Sequence, residues 1–354
     1  MESNQAEGVN EMKKYLLALI LLSSIIVLAA CGGDDSEDSA TAVEPGGSHE
    51  FRAGVVVGDW SPHYEGAQAW ADSIGEKTDG RIQITVFPDG QLGGEREMLE
   101  AVQNGSLDIG LLSSAVYSAF DPKMTALDIP FLMSTFEEAE AFMDGPAGEE
   151  FASILLDNGI RTLAWGHNDF RVITNNVAAV ESPEVLSSIK MRVPESKVLA
   201  DWYTELGAQV TPMPFPDIYT ALQQGVVDGQ DNGPILSFAG KLFEHQSYLT
   251  VSNHQYSPIG FFISEDAWAK LSEEDQALME EAAQEAAQIE REAIRNFNEV
   301  AISSMEEAGL ETYYLTDEDR AKFKETSHPF IDQIRSEAGD ELVDLVLEEA
   351  GYTQ

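Results

Sequence analysis

The chain has 354 residues, with 63 Asp or Glu against 20 Lys or Arg, for a formal net charge of -43. The length fits two domains with full cores. The charge excludes nucleic acid or an anionic membrane surface as a partner held by electrostatics. The acid is spread along the chain, as expected of a protein facing concentrated salt, where short screening lengths weaken self-repulsion.

Lys13-Lys14 is a charged start, followed by an apolar run over 15–27 and by Leu28-Ala29-Ala30-Cys31. This is the pattern of a secretory signal peptide of the lipoprotein kind. It makes residues 1–30 a cleaved signal, Met12 the true start and Cys31 the lipidated residue. The run is short for a membrane span, and one cysteine permits no intrachain disulfide. Cleavage before Cys31 removes three acids and two bases and leaves -42. Residues 31–48, rich in Gly, Ser and Asp without apolar periodicity, read as a disordered tether.

The folded part starts near Phe51. A buried strand over 51–57 precedes an amphipathic helix over 64–78, with Ala67, Trp70, Ala71 and Ile74 on one face. A strand over 81–87, the glycine-rich loop 88–94, a helix over 95–104 and a strand over 107–112 follow. The loop spacing matches no phosphate-binding fingerprint. Helices over 137–142 and 148–158 and a strand over 161–165 come next. Strand, helix, strand, helix, strand is the reading of 191–227: Met191–Val193, a helix capped by Ser196, Gln209–Thr211, a helix capped by Asp217, and Val226-Val227. That alternation means parallel strands, and ligands then bind outside the strands' carboxyl ends. Arg192, Phe215 and Asn232 sit at or just past three such ends. A helix over 235–243, a strand over 248–254 returning to the first lobe, and a strand over 259–263 follow. Ser272 opens a helix with a capping box closed by Asp275. It runs to Ala308, about 37 residues and roughly 55 Å at 1.5 Å per residue, so it packs along more than one lobe. A strand over 311–315 and two helices end the chain. Residues 101–108 echo residues 221–228 as helix end, glycine and short strand, as two similar lobes would.

The stretch MRVPESKVLADWYTELGAQVTPMPFPDIYTALQQGVVDGQDNGP, residues 191–234, resembles the solute-binding proteins of tripartite ATP-independent periplasmic (TRAP) transporters, of the C4-dicarboxylate-binding (DctP) type. Lys190, Arg192, Val193, Pro194, Gly207, Ala208, Phe215, Tyr219, Ala221-Leu222-Gln223 and Asp228-Gly229-Gln230 fit that pattern. Asp231 replaces its usual Glu, and Gly233 is inserted before Pro234. Residues 126–132, 168–175 and 248–254 are similar to three further family motifs. The resemblance runs from about Phe51 to about Gly309 and more weakly beyond. It implies an α/β, two-lobed periplasmic-binding-protein-like fold, with a ligand cleft between the lobes and a long helix spanning both. Lobe I is expected over 49–168 plus 258–297, and lobe II over 169–257 plus 298–354.

The implied function is that of an extracytoplasmic, lipid-anchored protein that captures a small organic acid (C4-dicarboxylate, uronate or related hydroxy or keto acid). It passes this ligand to integral-membrane transporter subunits, acting as a monomer without cofactor or metal. Two other readings are a ligand-presenting module for a membrane sensor and a cell-surface hydrolase. Enzyme signatures are missing: no G-x-S-x-G, no H-E-x-x-H, no cysteine beyond Cys31 and no metal-ligand spacing among the histidines. The resemblance assigns Arg192 to the ligand carboxylate, where a guanidinium fork matches two oxygens. It makes Arg171 a second arginine, Asn232 a cleft amide, Phe215 an aromatic wall and Glu95 the binding-loop acid. Arg171 is also readable as a brace, Phe215 as core, and Glu95 as a helix N-terminal acid favoured by the dipole. Val55–Val57 and Ser113 stand where the sialic-acid-binding branch has polar contacts, which argues against that ligand.

Two expectations follow. The melting temperature rises from low salt to molar salt; a flat response in a thermal melt removes the saline argument. Mass spectrometry of membrane-extracted protein shows a diacylglycerol adduct on Cys31; intact residues 13–30 on the mature protein contradict it.

Overall fold

The computed structural model describes residues 47–352. The chain opens with β1 (His49–Gly54), whose apolar run continues as buried loop through Val55 and Val57. Ser61 then caps α1 (Pro62–Lys77), its hydroxyl accepting from the His63 N–H. β2 (Ile82–Phe87), α2 (Glu95–Gln103), β3 (Ile109–Ser113), α3 (Phe136–Met143), α4 (Pro146–Asp157) and β4 (Ile160–Phe170) follow. β5 (Val172–Asn175), β6 (Lys190–Val193), α5 (Lys197–Glu205), β7 (Gln209–Pro212), α6 (Ile218–Gln223), β8 (Gly229–Asn232), α7 (Pro234–Ala239) and β9 (Tyr248–Val251) form the next block. The chain ends with β10 (Tyr256–Ser264), α8 (Glu265–Trp268), α9 (Glu273–Glu307), β11 (Glu311–Tyr314), α10 (Asp317–Ala338) and α11 (Asp340–Glu349).

Two sheets define two lobes. The first has order β2-β1-β3-β10-β4, with β10 antiparallel to β3 and β4. The second has order β11-β9-β5-β8-β6-β7, with β5 antiparallel to β8 and β9. Each apolar face is covered by helices. Trp70 and Ile74 of α1 pack under the first sheet with Phe261 and Met279. Leu199 and Trp202 of α5 pack under the second with Met191, Val193 and Phe323. The echo noted in sequence is structural, because both segments close on a left-handed glycine, Gly105 at φ 73 and Gly225 at φ 67.

Two stretches join the lobes. β4 passes into β5 through Arg171, and β9 returns to β10 through 252–255. The antiparallel pairing of β4 with β10 ends at Tyr256↔Phe170, and that of β5 with β9 starts at Ile173↔Thr250. Between them Arg171 N–H donates to Gln255 O at 2.8 Å. α9 is 35 residues long and packs on α1 and β4 of the first lobe and on α7 of the second. Its buried Glu290 and Arg291 reach into the first lobe, Glu290 to His63 and the His167 N–H, Arg291 to Asp144.

Several local expectations are corrected. The third parallel strand is Gly229–Asn232 and not Val226-Val227, because Val226 is 52% exposed while all four residues of GQDN are buried. Asp217 stands at the N-cap position of α6 but makes no side-chain capping bond, since it also ends a single 3₁₀ turn, Phe215–Asp217. The helix expected over 235–243 stops at Ala239, since Lys241 is left-handed at φ 58. β9 stays in the second sheet, and β10 makes the return. Asp275 accepts the Ser272 hydroxyl and turns its carboxylate to Arg81, 2.7 Å away, so only the Ser272 half of the capping box stands. Finally, Val343 and Val346 of α11 pack with Phe142 and Phe151 of the first lobe, so the C-terminal residues are not confined to the second.

Candidate ligand-binding site

The carboxyl ends of the strands of both sheets meet at one cavity. Arg192 stands near the end of β6, and Asn232 ends β8. Arg171 precedes β5, which runs antiparallel to β8 with Val172 opposite Asn232, so the same edge receives it. From the first lobe come Val56 and Val57 after β1, Ser113 at the end of β3 and Asn168 near the end of β4. Arg192, Arg171, Asn232, Phe215 and Glu95 all line this cavity. Its free volume is about 20 Å³. Next to Glu95 and Phe215, Gly94 of the first lobe lies so close to the second that a Cβ there would be 3.3 Å from Pro214.

The two arginines are placed differently. Arg171 is committed: its Nε donates to Asp231 Oδ2 at 3.1 Å, and its Nη2 to Asp231 Oδ1 at 3.0 Å and Asp231 O at 2.6 Å. Burial pushes the Asp231 carboxyl up, but the Arg171 guanidinium and a hydrogen bond to His254 outweigh it and hold the group well below the usual carboxylate range. Arg192 donates Nε and Nη2 to one acceptor, Met213 O, at 2.9 and 2.5 Å. Its Nη1 is buried with no hydrogen-bond partner among the described residues. Burial and the neighbouring Arg171 push its pKa down to about 9, against the pull of Asp231 and Glu95. Its hydrogen-bond acceptor is a neutral carbonyl, and no carboxylate among the described residues forms an ion pair with it.

The remaining walls are held by hydrogen bonds. Glu95, the first residue of α2, takes the Ser113 N–H on Oε1 at 2.7 Å and the Ser113 hydroxyl on Oε2 at 2.9 Å. Asn232 donates Nδ2 to Gln230 Oε1 at 2.6 Å, and Gln230 is pinned by Thr174 and Ser237. Phe215 is half-buried, packing with both the first lobe's core and Ile218 and Leu222. Sequence reasoning missed His63 and Asn168, which also line the cavity and bond each other at 3.0 Å. The Ser61-Pro62-His63 helix start just past the first strand was the available signal. It also missed the reason for the inserted Gly233: a Cβ there would fall 2.6 Å from Asp169 Cβ.

A larger groove of about 730 Å³ runs between α1, α7 and α9, lined by Trp60, Phe297 and Val300. It is mostly apolar, carries the acids Asp59, Glu65 and Asp72 and includes no Lys, Arg or His, so the cavity at Arg192 is the place for an anion. Among the described residues no group of three or more His, Cys, Asp or Glu is arranged to hold a metal ion. Cys31 lies outside the described residues.

This is the two-lobed architecture of an extracellular solute-binding protein, and comparison with known proteins agrees. The family "bacterial extracellular solute-binding protein, family 7" (DctP) matches residues 53–337. The 2,3-diketo-L-gulonate-binding periplasmic protein YiaO of Escherichia coli is 30% identical over 78% of this chain and 84% of its own. The C4-dicarboxylate-binding periplasmic protein DctP of Rhodobacter capsulatus is 31% identical over 81% of this chain and 87% of its own. Among solved structures, the sugar acid binding protein DctPAm of Advenella mimigardefordensis, in complex with galactonate, superposes with a TM-score of 0.83. It has 30% identity and covers 86% of this chain and 98% of its own. A TRAP periplasmic solute-binding protein of Polaromonas sp. JS666, bound to D-erythronate, gives 0.81 at 32% identity over 84% of this chain and 98% of its own. The chain belongs to this family, the solute-binding proteins of TRAP transporters.

A pH dependence follows from Asp169, beside the cavity residue Asn168. Burial pushes its carboxyl up to about 7, opposed by the Phe170 N–H and Asn298 on Oδ1. Its unfolded pKa is about 3.9, so between pH 4 and 7 the folded state holds a proton that the unfolded state has released. Stability therefore falls as pH rises through that window and levels off above it. Asp169→Asn removes this term. Denaturant unfolding should show the variant gaining on the wild type by a few kcal/mol, in order of magnitude, from pH 4 to pH 8. A difference independent of pH contradicts it.

Proposed function

We propose that this chain captures a small organic acid in the cavity between its lobes and delivers it to integral-membrane transporter subunits. The observation that carries this reading is the Arg192 Nη1, a buried cationic donor without a partner among the described residues in a chain with three times as many acids as bases. A ligand carboxylate meets that need. Arg171 holds the position and field of the site through Asp231, while Asn232, Phe215 and Glu95 contact the rest of the ligand. Relatives described as binding galactonate, D-erythronate or C4-dicarboxylates support this class of ligand.

We also infer the finer organisation. Lobe I comprises 49–168 plus 258–297, and lobe II 169–257 plus 298–354, with α11 resting on lobe I. The stretches 170–172 and 252–255 act as the hinge on which ligand closes the lobes. The protein works outside the cytoplasm as a monomer, anchored through lipidated Cys31, in a saline habitat. The signal-like leader and the net charge support those statements.

Calorimetry on Arg192 variants tests the reading, once a thermal-shift screen of organic acids has identified a ligand that raises the melting temperature. Arg192→Ala removes the partner of a buried carboxylate, at a cost of about 3–5 kcal/mol. Affinity should fall by roughly two to three decades, at 1.4 kcal/mol per decade. Arg192→Lys keeps the charge without the fork and should still lose about a decade. If Ala binds as wild type, Arg192 is structural and Arg171 becomes the candidate anchor.

A further inference from the structure

The groove between α1, α7 and α9 has two sides of different chemistry. Trp60, Ile289, Phe297 and Val300 line it, and they are four of the eight large apolar side chains that are exposed among the described residues. On α9, Ile289, Phe297 and Val300 fall within about 80° of one another around the helix axis, in a stripe about 16 Å long. Phe238 of α7 continues the stripe. Across the groove, α1 presents Glu65 and Asp72, seven residues apart and so on one helix face. Asp59 lies just before that helix. The Asp72 carboxylate takes the Gln68 amide at 2.7 Å, and no Lys, Arg or His lines the groove. So concentrated an apolar patch on an otherwise charged surface marks an interaction site.

The walls also come from both lobes. α1 follows β1 of the first sheet, and α7 follows β8 of the second. Next to the groove the lobes touch, since a Cβ on Gly240 would lie 3.4 Å from Trp60 Cη2. The groove is therefore one surface only while the lobes are together, and a partner that fills it favours that state. A second copy of this chain would bring the same carboxylates and a formal net charge of -43, and so be repelled. An anionic bilayer is repelled in the same way. The complementary shape and charge belong to a helix of about three turns, apolar on one face and carrying Lys or Arg beside it. Resting on the delivery reading above, we propose that this groove docks a cationic amphipathic helix exposed by the transporter's integral-membrane subunits. Laying the apolar face of a helix into a groove is a recurrent mode of recognition. The α9 stripe supplies most of the affinity, because exposed ion pairs add little. The α1 carboxylates steer the encounter and fix the register.

The test is uptake into liposomes holding the transporter subunits, driven by the full chain loaded with the acid found in the thermal-shift screen. Two double variants are compared with the wild type, each checked by its melting temperature to be folded. One is Phe297→Ser with Val300→Ser, the other Glu65→Gln with Asp72→Asn. None of these residues lines the Arg192 cavity, so calorimetric affinity for the acid should stay within about twofold of the wild type. The chain concentration that gives half-maximal uptake should rise about tenfold in the first variant, which loses two apolar side chains from the contact. It should rise about threefold in the second, with a weaker dependence on salt. An unchanged half-maximal concentration in the Phe297 and Val300 variant overturns the proposal and leaves delivery standing. An unchanged salt response in the Glu65 and Asp72 variant overturns the cationic partner. A wild-type dimer in sedimentation that the first variant dissolves makes the groove a self-association face and overturns it too. Failure of the wild type to drive any uptake takes down the delivery reading and this proposal with it.

Discussion

The site depends on two buried guanidinium groups, of which one aspartate pairs only the first. Arg171 and Arg192 are both about 98–99% removed from solvent, and each raises the cost of keeping the other charged. Asp231 resolves half of that cost. Its two carboxylate oxygens and its carbonyl take the Arg171 fork, and His254, stacked on Trp202, holds Oδ2 from the other side at 3.3 Å. Nothing equivalent serves Arg192, whose acceptor within the lobe is a neutral carbonyl. A second carboxylate built into the protein would have quenched the site. The outcome is a fixed positive donor that the proposed organic acid would pair.

The fold holds that arrangement by converging strand ends. β6 and β8 point their carboxyl ends at the cavity from the second sheet, and β3 and β4 do so from the first. The crossing between sheets occurs at Arg171 itself, so the residue that braces the site also lies on the joint between the lobes. α9 stiffens the first lobe's side of that joint. Its Glu290 takes His63, and the far face of that ring holds Asn168 in the cavity wall. Drawing the lobes together removes water from the cavity, which strengthens each charge-assisted bond within it.

The larger features were legible in the sequence because periodicity and end signals report them directly. The apolar face of α1, the Ser196 cap of α5 and the 35-residue α9 needed only hydrophobic spacing and capping chemistry. The five residues singled out for the site do surround one cavity, because each follows or ends a strand of the α/β pattern. β8 was missed because GQDN carries no hydrophobic signal. It is buried as a set of polar residues that satisfy one another, a tertiary property that no window of sequence shows. The capture of Asp275 by Arg81 and of Glu95 by Ser113 was equally hidden, since those partners are 194 and 18 residues apart. His63 lay in plain view beside a proline but had no local reason to differ from a surface histidine. Its partner Glu290 is 227 residues away.

The central claim is that the unpaired Arg192 donor is the anchor for a ligand carboxylate. A crystal structure with a bound organic acid tests it most directly. The account predicts one carboxylate oxygen within hydrogen-bond distance of Arg192 Nη1, about 2.7–2.9 Å for a charge-assisted pair, with Arg171 still clasping Asp231. A ligand whose carboxylate lies elsewhere, with Arg192 Nη1 still unpaired, would contradict it.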